Sequence, residues 1–126
     1  YFIKKKDGQI INFSSIYGNF IPRFEIYEGS NVSMNLDYMI SKNSIINMSK
    51  YLAKEMMKYN IRVNIISPGG VFDNQHKIFV KKYSKFCRSK KMLNPNDISG
   101  IVNFLVSDSS NKITGQNILV DDGFTL

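Results

Sequence analysis

The sequence predicts an α/β fold: one sheet of parallel strands, flanked by helices. Three observations carry this. Short apolar runs at 9–14, 62–66 and 117–120 suit strands buried on both faces. Longer segments between them repeat apolar residues at helical spacing. Strands joined by helix-length connections pair in parallel, through right-handed crossovers.

The elements follow in chain order. Tyr1-Phe2-Ile3-Lys4-Lys5-Lys6-Asp7-Gly8 reads as a helix end and a turn. It has neither an initiator Met nor the order of a signal peptide, so the chain is expected to begin mid-domain. Gln-Ile-Ile-Asn-Phe-Ser at 9–14 is the first strand. Residues 15–36 are irregular, punctuated by Gly18, Pro22, Gly29 and Ser30-Asn31. Connections of that length in a compact domain are functional or mobile as a rule. Residues 37–59 predict a helix, with Asp37 as N-cap and Asn60 at the exit. Ile45, Met48, Leu52 and Met56 form its apolar face.

Arg-Val-Asn-Ile-Ile at 62–66 is the second strand, and Ser67-Pro68-Gly69-Gly70 ends it sharply. A lysine-rich helix is expected over 75–91, carrying Ile78, Phe79, Tyr83 and Phe86. Asn94-Pro95 then opens another helix, with Ile98, Ile101, Val102, Leu105 and Val106 on its apolar face and Asp108 to Asn111 at its end. Asn-Ile-Leu-Val at 117–120 is the third strand, and Asp121-Asp122-Gly123 turns the chain away.

At 126 residues the chain suits one domain or part of one, and 43% apolar content allows a core. The net charge of +7 comes from lysines spread along the chain, with no basic-aromatic motif of a nucleic-acid module. It reads as a solvated surface, so no nucleic-acid partner is expected. No apolar stretch is long enough to span a membrane, so no membrane partner is expected either. One cysteine, Cys87, and one histidine, His76, make an internal disulfide impossible and a transition-metal site improbable. A reducing cytoplasm is the expected compartment.

In parallel sheets, ligands sit beyond the carboxyl ends of the strands. Those ends fall near Ser14-Ser15, Ser67 to Gly70 and Asp121 to Gly123. Tyr38 and Lys42 are four apart, which puts both on one face of a helix. A phenol is a poor base at neutral pH, and a neighbouring ammonium favours its ionised form. The pair can therefore exchange a proton with a carbonyl or alcohol oxygen. A serine hydroxyl at the first strand end can hold that oxygen. Two glycines in Pro68-Gly69-Gly70 let backbone approach a flat ligand. Each signal is weak alone. The pair also suits an exposed helix face, Ser15 a turn bonding its own backbone, and Pro-Gly-Gly a plain strand-ending turn.

Together and in order, these pieces resemble the short-chain dehydrogenase/reductase family. The matching stretches are Ile10-Ile11-Asn12-Phe13-Ser14-Ser15-Ile16-Tyr17-Gly18, Tyr38-Met39-Ile40-Ser41-Lys42, Ile61 through Gly70, Asn96-Asp97-Ile98 and Ile113 through Gly123. The resemblance implies the C-terminal part of a Rossmann-like, doubly wound parallel sheet. It also implies NAD- or NADP-dependent chemistry at a carbonyl or alcohol of a small-molecule substrate. Ser15, three residues before Gly18, would orient and polarise the substrate oxygen. Tyr38 would be the general acid for reduction and the base for oxidation. Lys42 would lower the tyrosine pKa and bond the nicotinamide ribose, and Pro68, Gly69 and Gly70 would lie against the nicotinamide. Residues 1–126 would be a single partial domain, the catalytic half, without the glycine-rich cofactor turn and the tetrad asparagine. Asp73 stands where the family has a cofactor-contacting threonine.

The long connection from Ser15 to Tyr38, with Pro22-Arg23-Phe24-Glu25-Ile26-Tyr27-Glu28-Gly29, is similar to a subgroup associated with flagellin modification and nonulosonic (legionaminic-type) acid pathways. That implies a sugar or sugar-phosphate substrate, with Arg23 as an anion contact; residues 19–36 equally suit a simple cover over the site. The Met and Ile face of the 37–59 helix is read either as core or as the seat of a homodimer or homotetramer contact in the full-length protein. The alternatives are a 3-oxoacyl-carrier-protein-reductase-like enzyme, or a truncated, non-catalytic binding or assembly module. The isolated chain is expected to be inactive and marginally stable, with a sheet edge exposed.

Overall fold

The computed structural model describes all residues, Tyr1–Leu126. Three strands form one parallel sheet in the order β1-β2-β3: β1 is Gly8–Phe13, β2 Ile61–Pro68 and β3 Asn117–Val120. β1 and β2 pair from Gly8 opposite Ile61 to Phe13 opposite Ile66. β2 and β3 pair from Ile65 opposite Asn117 to Pro68 opposite Val120. The helices are α1 (Phe2–Lys5), α2 (Leu36–Met56), α3 (Lys77–Ser84) and α4 (Ser99–Val106). None is long and apolar enough to cross a membrane.

The central strand carries the core. Ile61, Val63, Ile65 and Ile66 of β2 are all buried. Its buried polar groups are partnered, as burial demands. Asn64 donates to the Ile113 carbonyl at 2.9 Å and accepts from the Gln116 amide at 3.1 Å. The Ser67 hydroxyl donates to Asn117 Oδ1 at 2.6 Å. β1 lies at one edge, and its outer side pairs with nothing in this chain.

Helix α2 packs on the sheet through a different row from the one its large residues suggest. Ile46, Ser49 and Ala53 are the buried residues, while Met48 is 50% exposed. Small side chains let the helix approach the sheet closely, and Ser49 is fixed there by a 2.8 Å bond from Asn12 Nδ2. Ile45, Leu52 and Met56 flank this row, half-buried. Leu36, Ile40, Met48 and Tyr51 are left as an exposed apolar stripe. The N-cap is Asn35, with Asp37 in the first turn, where its charge favours the helix dipole.

The lysine-rich helix is shorter than its periodicity predicts and stops at Ser84. Asp122 is the physical reason for part of this. Its carbonyl accepts the Arg88 amide at 2.9 Å and its carboxylate accepts the Ser89 amide at 2.7 Å, so these donors leave the helical pattern. Asn94 opens the next segment with a reciprocal capping box with Asp97, and Pro95 occupies the first turn.

The irregular segment is anchored. Ile16, Tyr17 and Ile26 join Phe79, Tyr83, Cys87, Met92 and Phe124 in one buried cluster. Residues 15–36 thus fold over the strand ends and against α3, which places two tyrosines of that segment beside the site.

Candidate active site

The carboxyl ends of β1 and β2 open into a cavity of about 350 Å³, lined by Ser14, Ser15, Tyr38, Pro68, Gly69 and Gly70 among others. The two serines divide their work. Ser14 Oγ donates to the Lys42 carbonyl at 2.7 Å, which ties the end of β1 to the first turns of α2. Ser15 accepts the Tyr17 amide at 3.2 Å and caps the short turn Ile16–Gly18. Its own hydroxyl hydrogen is uncommitted within the chain and available to a ligand oxygen.

Gly18 sets how closely these elements meet. A Cβ there would lie 2.6 Å from Ile46 Cδ1, 2.8 Å from Ser14 Oγ and 3.0 Å from the Lys42 carbonyl carbon. Asn43 Nδ2 donates to the Gly18 carbonyl at 2.9 Å and completes the seam. The serine turn and the Tyr38–Lys42 turn are therefore packed as one unit.

Tyr38 is 41% exposed at the cavity. Lys42 Nζ lies 5.4 Å from the Tyr38 ring centroid. The ammonium has no ion pair within the chain, so its protons are available to a ligand. Lys42 stands behind Tyr38 and does not line the cavity wall itself.

The Pro68-Gly69-Gly70 turn lies on the opposite wall. Its glycines are needed for packing behind the turn. A Cβ at Gly69 would meet Tyr83 Oη at 2.9 Å, and one at Gly70 would meet Met92 Cε and Tyr83 Cζ at 2.8 Å. The Gly69 amide bonds the Val120 carbonyl and the Gly70 amide bonds the Tyr83 hydroxyl. The Gly69 carbonyl and the Val71 amide take no hydrogen bond within the chain. One free acceptor and one free donor beside the cavity suit a carboxamide, the group a nicotinamide ring carries. The chain's residues fit such a ring. Asp73 is exposed and off the cavity, where Gln75 stands instead, accepting the Asp73 amide and donating to the Val71 carbonyl, both at 2.8 Å.

Arg23 does not line this cavity. Its guanidinium donates to the Leu126 carbonyl at 3.0 Å and lies 4.4 Å from the Phe86 ring centroid. These contacts fasten the loop to the C-terminal segment.

Sequence reasoning missed three phenols in the cavity wall: Tyr17, Tyr27 and Tyr83. The Tyr17 and Tyr27 hydroxyls share a hydrogen bond at 2.9 Å. Burial, then the bond to Tyr27, pushes the Tyr17 phenol up, and burial pushes Tyr27 and Tyr83 up. All three are held neutral. Tyr17 already stood in the Ser14-Ser15-Ile16-Tyr17-Gly18 stretch, and Tyr83 was visible only as an aromatic residue on a helix.

Comparison with known proteins agrees with this fold. A family model described as enoyl-(acyl carrier protein) reductase matches residues 2–125. The chain is 48% identical over its full length to the post-translational flagellin modification protein A of Campylobacter coli, covering 49% of that protein. It is 32% identical to a 3-oxoacyl-[acyl-carrier-protein] reductase of Thermotoga maritima, covering 100% of this chain and 49% of that one. A short-chain dehydrogenase from Leptospira borgpetersenii, solved with bound NAD+, superposes with a TM-score of 0.91 at 43% identity, over 99% of this chain and 48% of that one. The chain thus spans about half the length of the relatives it matches. Motif order, sheet topology and these matches converge: the chain belongs to the short-chain dehydrogenase/reductase family.

Proposed function

We propose that the full-length protein is an NAD- or NADP-dependent oxidoreductase acting on a carbonyl or alcohol, in the cytoplasm, and that this chain carries its proton-transfer half. The observation that carries the reading is the shared cavity. Ser15 brings an uncommitted hydroxyl, Tyr38 an accessible phenol, and the segment from Pro68 to Val71 a free acceptor, the Gly69 carbonyl, and a free donor, the Val71 amide.

In the direction of reduction, Ser15 donates to the substrate carbonyl oxygen and holds it near Tyr38. A nicotinamide nucleotide, when bound along the Pro68 to Val71 segment, would supply the hydride. Tyr38 gives its phenolic proton to the oxygen as negative charge develops there, and Lys42 stabilises the phenolate left behind. In oxidation Tyr38 takes that proton back. The Tyr17 and Tyr27 hydroxyls bond each other and the Tyr83 hydroxyl bonds the Gly70 amide, whereas the Tyr38 hydroxyl takes no hydrogen bond within the chain. Ser14 keeps Lys42 in place through its carbonyl.

The substrate on this reading is a sugar or sugar phosphate of surface-glycan or flagellin-glycan synthesis; similarity to a flagellin modification protein supports the flagellin connection. The Thermotoga relative supports a second reading, a 3-oxoacyl thioester. The exposed stripe Leu36, Ile40, Met48 and Tyr51 suits a contact between copies in a homo-oligomer.

The test is reduced-nicotinamide consumption by the purified full-length protein with a panel of ketones. Tyr38→Phe lowers turnover at least about a hundredfold with the fold intact, and Lys42→Met weakens nucleotide binding and turnover together. Undiminished turnover by Tyr38→Phe sinks the proton-transfer assignment. Absence of both nucleotide binding and turnover in the wild type favours a non-catalytic module.

A further inference from the structure

We infer that the reacting end of the substrate is an uncharged, hydroxyl-bearing ring, and that the bonded pair Tyr17–Tyr27 reads two of its neighbouring hydroxyls. The inference rests on the carbonyl chemistry proposed above and narrows it.

The cavity wall contributed by this chain has 17 lining residues, and none carries a charge. An anion drawn into such a wall loses hydration without gaining a counter-charge from it. The one basic side chain of the covering loop, Arg23, is bound to the Leu126 carbonyl and lies over Phe86. Lys42 lies behind Tyr38, outside the wall. This wall therefore accommodates neutral groups.

It is also not simply greasy. The Tyr17 and Tyr27 hydroxyls stand 2.9 Å apart, bonded to each other. That single bond uses one hydrogen and one lone pair. The pair still offers one O–H donor and further lone pairs from two adjacent oxygens. Two neighbouring hydroxyls on a ring present the complementary set. The apolar side chains of Val32, Met34 and Phe79 line the same cavity and suit the C–H face of a saturated ring. Burial keeps both phenols in the neutral form that can both donate and accept. A fatty acyl chain would leave these buried hydroxyls without ligand partners, and a site built to bond a hydroxyl discriminates strongly against the analogue lacking it.

The experiment uses the full-length protein and three ketones of one ring size: cyclohexanone, inosose (pentahydroxycyclohexanone) and oxocyclohexanecarboxylate. The expected result is a kcat/KM for inosose at least about tenfold above both others. Tyr17→Phe and Tyr27→Phe each cut the inosose-to-cyclohexanone ratio about tenfold; retained nicotinamide-nucleotide binding shows that the variants are folded. The inference is overturned if the carboxylate is preferred, if the wild-type ratio is near one, or if folded variants keep the ratio. Turnover of cyclohexanone in any of those cases leaves the oxidoreductase reading standing. No turnover of any of the three ketones overturns this inference, while retained nicotinamide-nucleotide binding leaves the oxidoreductase reading standing.

Discussion

The Tyr83 hydroxyl accepts the amide hydrogen of Gly70, tying α3 to the turn that ends the central strand. The ring behind that hydroxyl is stacked on Phe124, with centroids 4.0 Å apart and planes 7° from parallel. A Cβ at Gly70 would collide with it. The turn proposed to face the nicotinamide is thus held from behind by an aromatic post. Tyr83→Phe keeps the stack and orphans the Gly70 amide. It should cost about 1–3 kcal/mol in denaturant unfolding and weaken nicotinamide-nucleotide affinity in the full-length protein. Unchanged affinity alongside lost stability would mean that the bond supports the fold without positioning the turn.

Gly18 makes a second prediction. Gly18→Ala drives a methyl against Ile46, the Ser14 hydroxyl and the Lys42 backbone. Overpacking of this kind costs about 1–3 kcal/mol. Because the displaced atoms include the anchor of Lys42, turnover should fall by more than the folded fraction falls. Activity measured per folded molecule, with unfolding followed by circular dichroism, separates the two effects.

Arg23→Ala removes the bond to the Leu126 carbonyl and the contact with Phe86. Stability should drop by about 1 kcal/mol. KM for an anionic ketone should move no more than KM for a neutral one. A selective rise for the anion would return Arg23 to the substrate site.

Cys87 is 2% exposed, and burial, with Asp122 and Asp121 nearby, pushes its thiol from 9.0 up to about 11. Alkylation by iodoacetamide at neutral pH should be negligible in the native protein and fast in denaturant. The sign for stability follows from linkage. The unfolded thiol ionises first, so the stabilising contribution is intact below pH 9.0 and is lost as pH rises toward about 11. Denaturation between those values should show a smaller alkaline loss in Cys87→Ala than in the wild type.

Much of this architecture is legible in the residues themselves. Apolar runs mark the three strands, although only the central one, β2, is buried in this chain, and Asn94-Pro95 marks a helix start because capping chemistry is local. Other features depend on distant partners. Ser49 and Ala53 form the buried row of α2 because the sheet approaches closely there, and hydrophobicity does not single out small residues. The helix after His76 does not resume at Arg88 and Ser89 because Asp122, far along the chain, captures their amides. Ser15 and Tyr38 stand out because their motif is short-range. The Tyr17–Tyr27 and Tyr83–Gly70 pairings arise only when residues 15–36 fold over the strand ends. Arg23 shows the converse: its charge looks free in sequence, and the fold uses it elsewhere.

The spacing of the site along the chain has a kinetic consequence. Ser15, Tyr38, Gly70 and Tyr83 meet only at the ends of strands whose pairing spans long crossovers, from Gly8 to Ile61 and from Ile65 to Asn117. Local segments cannot assemble such a site early, and closing long parallel connections is slow. Recovery of nucleotide binding during refolding should therefore trail helix formation and coincide with the final cooperative phase. A collapsed, helix-rich intermediate would be blind to ligand, which makes ligand binding a clean reporter of the completed sheet.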